Sequence, residues 1–315
     1  MRCKITAKNT LSFKRYIILS ISVFLIVFSF LNLEEMARLI NSGLLLCIRS
    51  VIPSLFPFMI FSEMLLYGKV FDIIPQKIMK FFGKIFKVNP ISIGAFLTGI
   101  ICGFPLGVKY ASDLYKSSSI SKDEFERLIC FCNNTGPAFV IAGIGASIRK
   151  NAYEGILLYF IQIASAVICG IIISRKVKIY TDKKDYNLND IKDFSIIDCV
   201  KRSSLNMLYI CALVSFFTVL CGYSYKIFPN DIFNAVFSSF LEIGNGASAC
   251  AALRNKQLSF ILTAGGISFS GMSVHFQSEI FYHEINISKK KYYTSKTMQS
   301  SLSIIIAFFV SLLTY

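Results

Sequence analysis

Four polar clusters interrupt otherwise apolar stretches of this sequence, and they are where binding chemistry would sit. The first is Phe131-Cys132-Asn133-Asn134-Thr135-Gly136-Pro137, which runs into the apolar segment 138–148. Asn133, Asn134 and Thr135 ahead of Gly-Pro place amide donors and capping residues at a helix start. The second runs from Gly265 to Gln277, where Ser268, Ser270, Ser273, His275 and Gln277 supply donors and acceptors between glycines. The third, Gly103–Tyr110, carries Lys109, with Asp113 four residues on; a helix there would let the two pair, and a buried Lys109 would instead attract an anion. Glu242, Gly244, Asn245 and Gly246 form the fourth. Arg49, ahead of the doubly proline-kinked Pro53–Phe58, is a further cation, with snorkelling to the surface as its plainer role.

Each cluster also has a bland reading: a helix cap, tight packing through small residues, or a helix end at an interface. Two asparagines beside an apolar helix are nevertheless costly unless something binds them. Helix starts carry a partial positive charge and bare N–H groups, so the chemistry on offer is capture of an anion. His275 is either a proton carrier or a hydrogen-bonded bystander.

Enzyme classes fare poorly. The chain has two histidines, His275 and His283, and no defensible Ser-His-Asp order. Of its ten cysteines, Cys130 and Cys132 form a single CxC with no second pair at metal-ligand spacing. No GxxxxGK[ST] phosphate loop is present. The expectation is a protein that is not an enzyme and needs neither metal nor cofactor.

These clusters must be positioned by membrane helices. The 315 residues are 54% hydrophobic and 16% charged, with a mean hydropathy of +0.60; soluble chains carry roughly 25% charged residues. At roughly 20 apolar residues per crossing there is room for about eight segments and no soluble domain. The net charge of +15 suits cytoplasmic loops beside anionic lipid, and nucleic acid is not an expected partner.

The apolar stretches run 16–33, 39–67, 91–111, 128–148, 154–174, 199–222, 232–252, 258–282 and 297–315. The first, preceded by Arg2, Lys4, Lys8, Lys14 and Arg15, reads as a retained crossing, because no small-residue cleavage site follows it. Lys122–Arg127 (KDEFER) reads as an amphipathic interfacial helix, and His283–Lys296, with Lys289, Lys290, Lys291 and Lys296, as a basic cytoplasmic loop. Glycines and Pro105 break 91–111, and glycines break 232–252 and 258–282; unwound backbone is tolerated in lipid only where protein or a watery cavity covers it.

Basic loops fall on one face if 91–111 and 232–252 enter and return without crossing. Four units follow: 1–35, a basic N-terminus and extra first transmembrane helix; 36–174, a first repeat; 175–198, a charged cytoplasmic loop; and 199–315, a second repeat with every direction reversed. The expected fold is an all-α polytopic membrane protein with two inverted-topology repeats of broken or re-entrant helices, an architecture characteristic of secondary transporters.

PSLFPF at 53–58, GFPLGVKYASDLY at 103–115, LICFCNNTGPAFVIAGIG at 128–145 and GGISFSGMSVHFQ at 265–277 resemble the sporulation integral membrane protein family YlbJ, also called SpoVV. That family lies within the nucleoside-recognition or Gate-domain group, itself similar to concentrative nucleoside transporters. The resemblance covers residues 36–315. It implies multi-pass insertion in the outer forespore membrane of a spore-forming bacterium and movement of dipicolinic acid from mother cell toward forespore.

Dipicolinate, a flat ring with two carboxylates, suits helix N-termini, amide and hydroxyl donors and a cation. The expected binding residues are Lys109, Asn133, Asn134, Thr135, Ser268, Ser273, His275 and Gln277, with Arg49, Glu242 and Asn245 secondary. The alternatives are a nucleoside or nucleobase carrier and a non-transporting scaffold of the spore envelope. The expected partners are a small-molecule anion, dipicolinate, and the lipid bilayer; a homo-oligomer and spore-envelope partners are left open.

Overall fold

A computed structural model describes residues 15–16, 19–20, 22–67, 74–175 and 195–315. The basic N-terminal segment and nearly all of the 175–198 loop therefore lie outside the described residues. Every regular element among the described residues is helical, and the chain is an all-α polytopic membrane protein. Five helices are long and apolar enough to cross a membrane, or six if a pair bent by 90° at residues 87–89 counts as one span.

The elements are α1 (Ser22–Leu31), α2 (Leu33–Leu46), α3 (Ile52–Tyr67), α4 (Gln76–Phe86), α5 (Ile93–Ile101), α6 (Leu106–Lys116) and α7 (Lys122–Cys132), then α8 (Ala152–Ser174) and α9 (Ile196–Ile227). They continue as α10 (Asp231–Leu241), α11 (Ile243–Ala252), α12 (Lys256–Phe269), α13 (Gly271–Glu279) and α14 (Lys289–Thr314). A π-helical stretch, Cys47–Val51, joins α2 to α3, and a longer one, Ala138–Ile148, follows the CNNTGP break.

Local sequence sets several of the helix starts. Ser121, Asn151, Asn230, Asn255 and Ser288 each accept a backbone N–H of the following turn, which satisfies donors that a helix start leaves bare. Small residues then decide how the helices approach. A Cβ built on Gly107 would lie 2.7 Å from the Cα of Gly99, and one on Gly246 would lie 2.3 Å from the Cα of Ser239. Contact between residues so close in sequence, on opposite sides of a break, means that α5–α6 and α10–α11 turn back on themselves. The segments at 91–111 and 232–252 are hairpins, not continuous rods.

The other two breaks behave differently. α7 leads through Asn133–Pro137 into Ala138–Ile148, and α12 leads through Ser270 into α13. Ser270 and Gly271 both adopt left-handed backbone, with φ of 80° and 61°, which ends one helix and starts the next. With α4 set aside, the order from α2–α3 to α8 is a span, a hairpin, an interrupted span and a span, and the same order runs from α9 to α14; α4 has no counterpart in the second series.

Within each half the hairpin tip packs on the interruption. A Cβ on Gly103, itself at φ +85°, would lie 2.6 Å from the amide nitrogen of Gly136. On the other side, a Cβ on Gly271 would lie 3.3 Å from the amide of Ile243 and 3.4 Å from the Cα of Glu242. The largest apolar cluster joins both halves through Leu55, Phe104, Phe139, Ile161, Ile210 and Phe260.

Two boundaries differ from expectation. α14 begins at Lys289, not 297, so Lys296 belongs to a helix and is fully buried. The KDEFER segment opens α7, whose Glu124, Phe125, Arg127 and Leu128 are all buried in protein; that helix is part of the bundle and does not lie along a surface.

Candidate functional site

Where the two interrupted spans pass each other, α8 and α14 close over them. Gln162 on α8 holds the Thr135 backbone from both sides: its Oε1 accepts the Thr135 N–H at 3.3 Å, and its Nε2 donates to the Thr135 carbonyl at 2.9 Å. One turn on, Ser165 lies 3.5 Å from the hydroxyl of Ser268. Thr135 Oγ1 donates across to the Ile267 carbonyl at 3.5 Å. The breaks of the two halves are thereby in direct contact.

α14 grips the same break from the other half. Lys296 Nζ donates to the Asn133 carbonyl at 2.9 Å and to Gln299 Oε1 at 2.8 Å. Gln299 Nε2 in turn donates to Asn134 Oδ1 at 2.9 Å, and Asn134 Nδ2 donates back to the Phe131 carbonyl at 2.7 Å. Asn133 Nδ2 donates to the Tyr292 hydroxyl at 2.8 Å, and that hydroxyl lies 2.9 Å from His275 Nδ1. An amide donating to the tyrosine oxygen leaves its O–H to donate to Nδ1, so the proton of a neutral imidazole sits on Nε2.

Electrostatics single out Lys296. It is 0% exposed, and no ion pair among the described residues includes it. An ammonium has three N–H donors, and two are accounted for. A buried, uncompensated cation is expensive, and within a membrane span such a group marks a pathway or binding site. Asn133 Oδ1, His275 Nε2 and Gln277 Oε1 are also buried without a hydrogen bond within the protein; buried polar atoms ordinarily have one.

The expected residues divide into separate groups. Asn133, Asn134, Thr135, Ser268 and His275 come together as described. Ser273 and Gln277 form their own pair along α13, Gln277 Nε2 donating to Ser273 Oγ at 3.1 Å. Lys109 is ion-paired with the buried Glu63 of α3, so its partner is neither Asp113 nor an open cavity. Arg49 is exposed.

Glu242 caps α11, accepting the N–H groups of Gly244 at 2.9 Å and Asn245 at 2.6 Å, and the Asn245 side chain at 2.8 Å. Asn245 also donates to Thr218 at 2.7 Å. These residues form a second polar group, beside the α12–α13 break but outside the Lys296 cluster.

Gln162, Tyr292, Lys296 and Gln299 were not expected. The signal available for the last two was the run Lys296-Thr-Met-Gln299, two polar side chains one turn apart, which becomes legible once α14 is seen to start at Lys289.

No family model matches the chain, and no solved structure matches it. One curated protein does: the sporulation integral membrane protein YlbJ of Bacillus subtilis (strain 168), 30% identical over 118 residues. The chain is similar to YlbJ over that stretch. The matched stretch is 38% of this chain and 29% of YlbJ, so the chain spans less than a third of the relative's length. YlbJ is named as an integral membrane protein, in keeping with the apolar helices described above.

Proposed function

We propose that this YlbJ relative is a transporter of a small aromatic dicarboxylate, with dipicolinic acid as the candidate substrate. In this reading it sits in the outer forespore membrane of a sporulating bacterium and carries dipicolinate from mother cell toward forespore without covalent chemistry. Two inverted halves expose a central site to each side in turn. The membrane role in sporulation is supported by the kinship with YlbJ; the substrate rests on the chemistry of the site.

The observation that carries the reading is Lys296, a buried ammonium with no carboxylate partner, set where interrupted helices of both halves meet. A bound carboxylate would supply the missing charge. The Asn133 and Asn134 amides lie beside it as further polar groups, and the unpartnered atoms on Asn133 and His275 are places where a ligand or ordered water completes the network. The site is closed in this structure, with Asn133, Thr135, Ser268, Lys296 and Gln299 all 0% exposed. Such closure suits an occluded intermediate of alternating access.

The test is titration of purified full-length chain with dipicolinate and, separately, uridine. Saturable dipicolinate binding that weakens in Lys296→Met, with no uridine binding, is expected. Uridine binding indifferent to Lys296 would make the chain a nucleoside carrier. No binding of either, with no saturable flux in liposomes, would leave the scaffold role.

A further inference from the structure

Glu242 presents the opposite problem to Lys296. It is 3% exposed, yet none of the ion pairs among the described residues includes it. The groups around it are short and mostly neutral. From α11 come the Gly244 and Asn245 amides, from α9 Thr218 and Cys221, and from the π-helical stretch after α2 the thiol of Cys47. α13 brings the backbone of Gly271; of its titratable side chains, His275 is engaged with Tyr292 and Glu279, at the far end of the helix, with Lys289. Arg149, at the end of the helix that packs on α11, lies by Cys250 near the far end of α11. It is already bonded to Glu154 at 2.5 Å, Ser259 at 2.8 Å and Thr263 at 3.1 Å.

We propose that Glu242 is a proton-binding site that couples proton movement to transport, an inference that rests on the transporter reading above. The occupant is a proton and not a metal cation, because the two carboxylate oxygens already accept N–H groups from Gly244 and Asn245. Those donors carry positive partial charge toward the space a cation would need, as does the start of α11. Among the described residues no cluster of His, Cys, Asp or Glu is arranged to hold a metal ion.

A proton arriving from water forms an O–H bond on one carboxylate oxygen, and at least one of the N–H contacts to that oxygen is released. The Glu242 side chain becomes neutral, and the attraction between carboxylate and helix start is lost.

The position of Glu242 makes that change felt at the substrate. The hairpin tip containing it packs on the Ser270–Gly271 break. Just before that break, the Ile267 carbonyl accepts from Thr135 and Ser268 lies against Ser165. One interrupted segment is therefore held between the carboxylate on one side and the Asn133–Lys296 cluster on the other. Loosening the hairpin tip alters the packing of that segment, while neutralising Glu242 also removes a buried charge that resists exposure to lipid or relocation.

The experiment uses full-length chain in liposomes with radiolabelled dipicolinate, read in two modes. Counterflow without any ion gradient measures exchange; uptake under an inwardly directed proton gradient measures coupling. Wild type should accumulate dipicolinate under the gradient and acidify the lumen as it enters. Glu242→Gln should retain counterflow and lose both the accumulation and the acidification. A merely structural cap would lower both modes in proportion.

The inference is overturned if Glu242→Gln accumulates dipicolinate like wild type, or if wild-type uptake is indifferent to the proton gradient. The second outcome needs no variant and so stands even if Glu242→Gln fails to fold. Wild-type counterflow with no gradient response leaves the transporter reading intact, whereas absent counterflow removes that reading and this one with it.

Discussion

Lys296 on α14 donates to the main-chain carbonyl of Asn133 across 2.9 Å, although 163 residues separate the two. The interaction exists because α7 stops at Cys132 and leaves that carbonyl outside any helical ladder. A side chain of one half thus completes the backbone of the other, and the same ammonium retains a donor for an anion. The cluster is both a structural joint and a candidate binding site.

Replacing Lys296 by Met should weaken dipicolinate binding roughly ten- to a hundredfold, from loss of about 1.5–3 kcal/mol of charged hydrogen bonding. Isothermal titration on the purified chain measures it. Unchanged affinity would remove Lys296 from the site.

Tyr292→Phe deletes the hydroxyl that joins Asn133 to His275 while keeping the ring. The expected cost is about 1 kcal/mol of stability, with dipicolinate affinity lowered a few-fold through a less firmly held Asn133. A thermal melt and a binding isotherm on the same preparation separate the two effects.

Lys109 and Glu63 should behave as a pair. Lys109→Met alone leaves a buried carboxylate uncompensated and should cost about 3–5 kcal/mol, whereas adding Glu63→Gln should recover most of the loss. Dipicolinate binding by the double variant should match wild type. If the double variant folds but does not bind, Lys109 contacts substrate after all.

Gly99→Ala should be severe. The new Cβ would lie 1.8 Å from the Cys132 carbonyl oxygen, so α5 or the end of α7 must move, at about 1–3 kcal/mol or more. Gly143→Ala is the control, since its Cβ would meet nothing closer than the Phe139 ring at 3.3 Å. Thermal melting of the two variants followed by size-exclusion chromatography should show Gly99→Ala destabilised and Gly143→Ala close to wild type.

Much of the architecture was legible because a bilayer penalises irregular backbone so heavily. The glycine-rich segments at 94–107 and 244–246 both proved to be hairpins, with Gly103 at the turn of the first, while Gly94, Gly99, Gly107, Gly244 and Gly246 lie inside helices, where Gly99, Gly107 and Gly246 let backbones approach closely. CNNTGP and GGISFSG likewise marked the interrupted spans. Asn133, Asn134, Thr135, Ser268 and His275 could be picked out as polar groups in apolar surroundings, without knowing what they touch.

Lys296 was missed for a physical reason. Beside Lys289, Lys290 and Lys291 it looks like one more loop cation, and composition cannot tell a lysine in the headgroup region from one a helical turn deeper. Lys109 illustrates the converse: an intramembrane lysine reads as an anion site until Glu63, 46 residues away, is found on it.

Periodicity, glycine placement and charge, all local properties, determined that this chain crosses membranes and where its helices must break. Only the tertiary structure decided which buried charges are neutralised and which are left over. Whether a lysine meets a carboxylate, a carbonyl or nothing depends on side chains arriving from distant helices, and electrostatic energy in a low-dielectric interior is fixed by those distances.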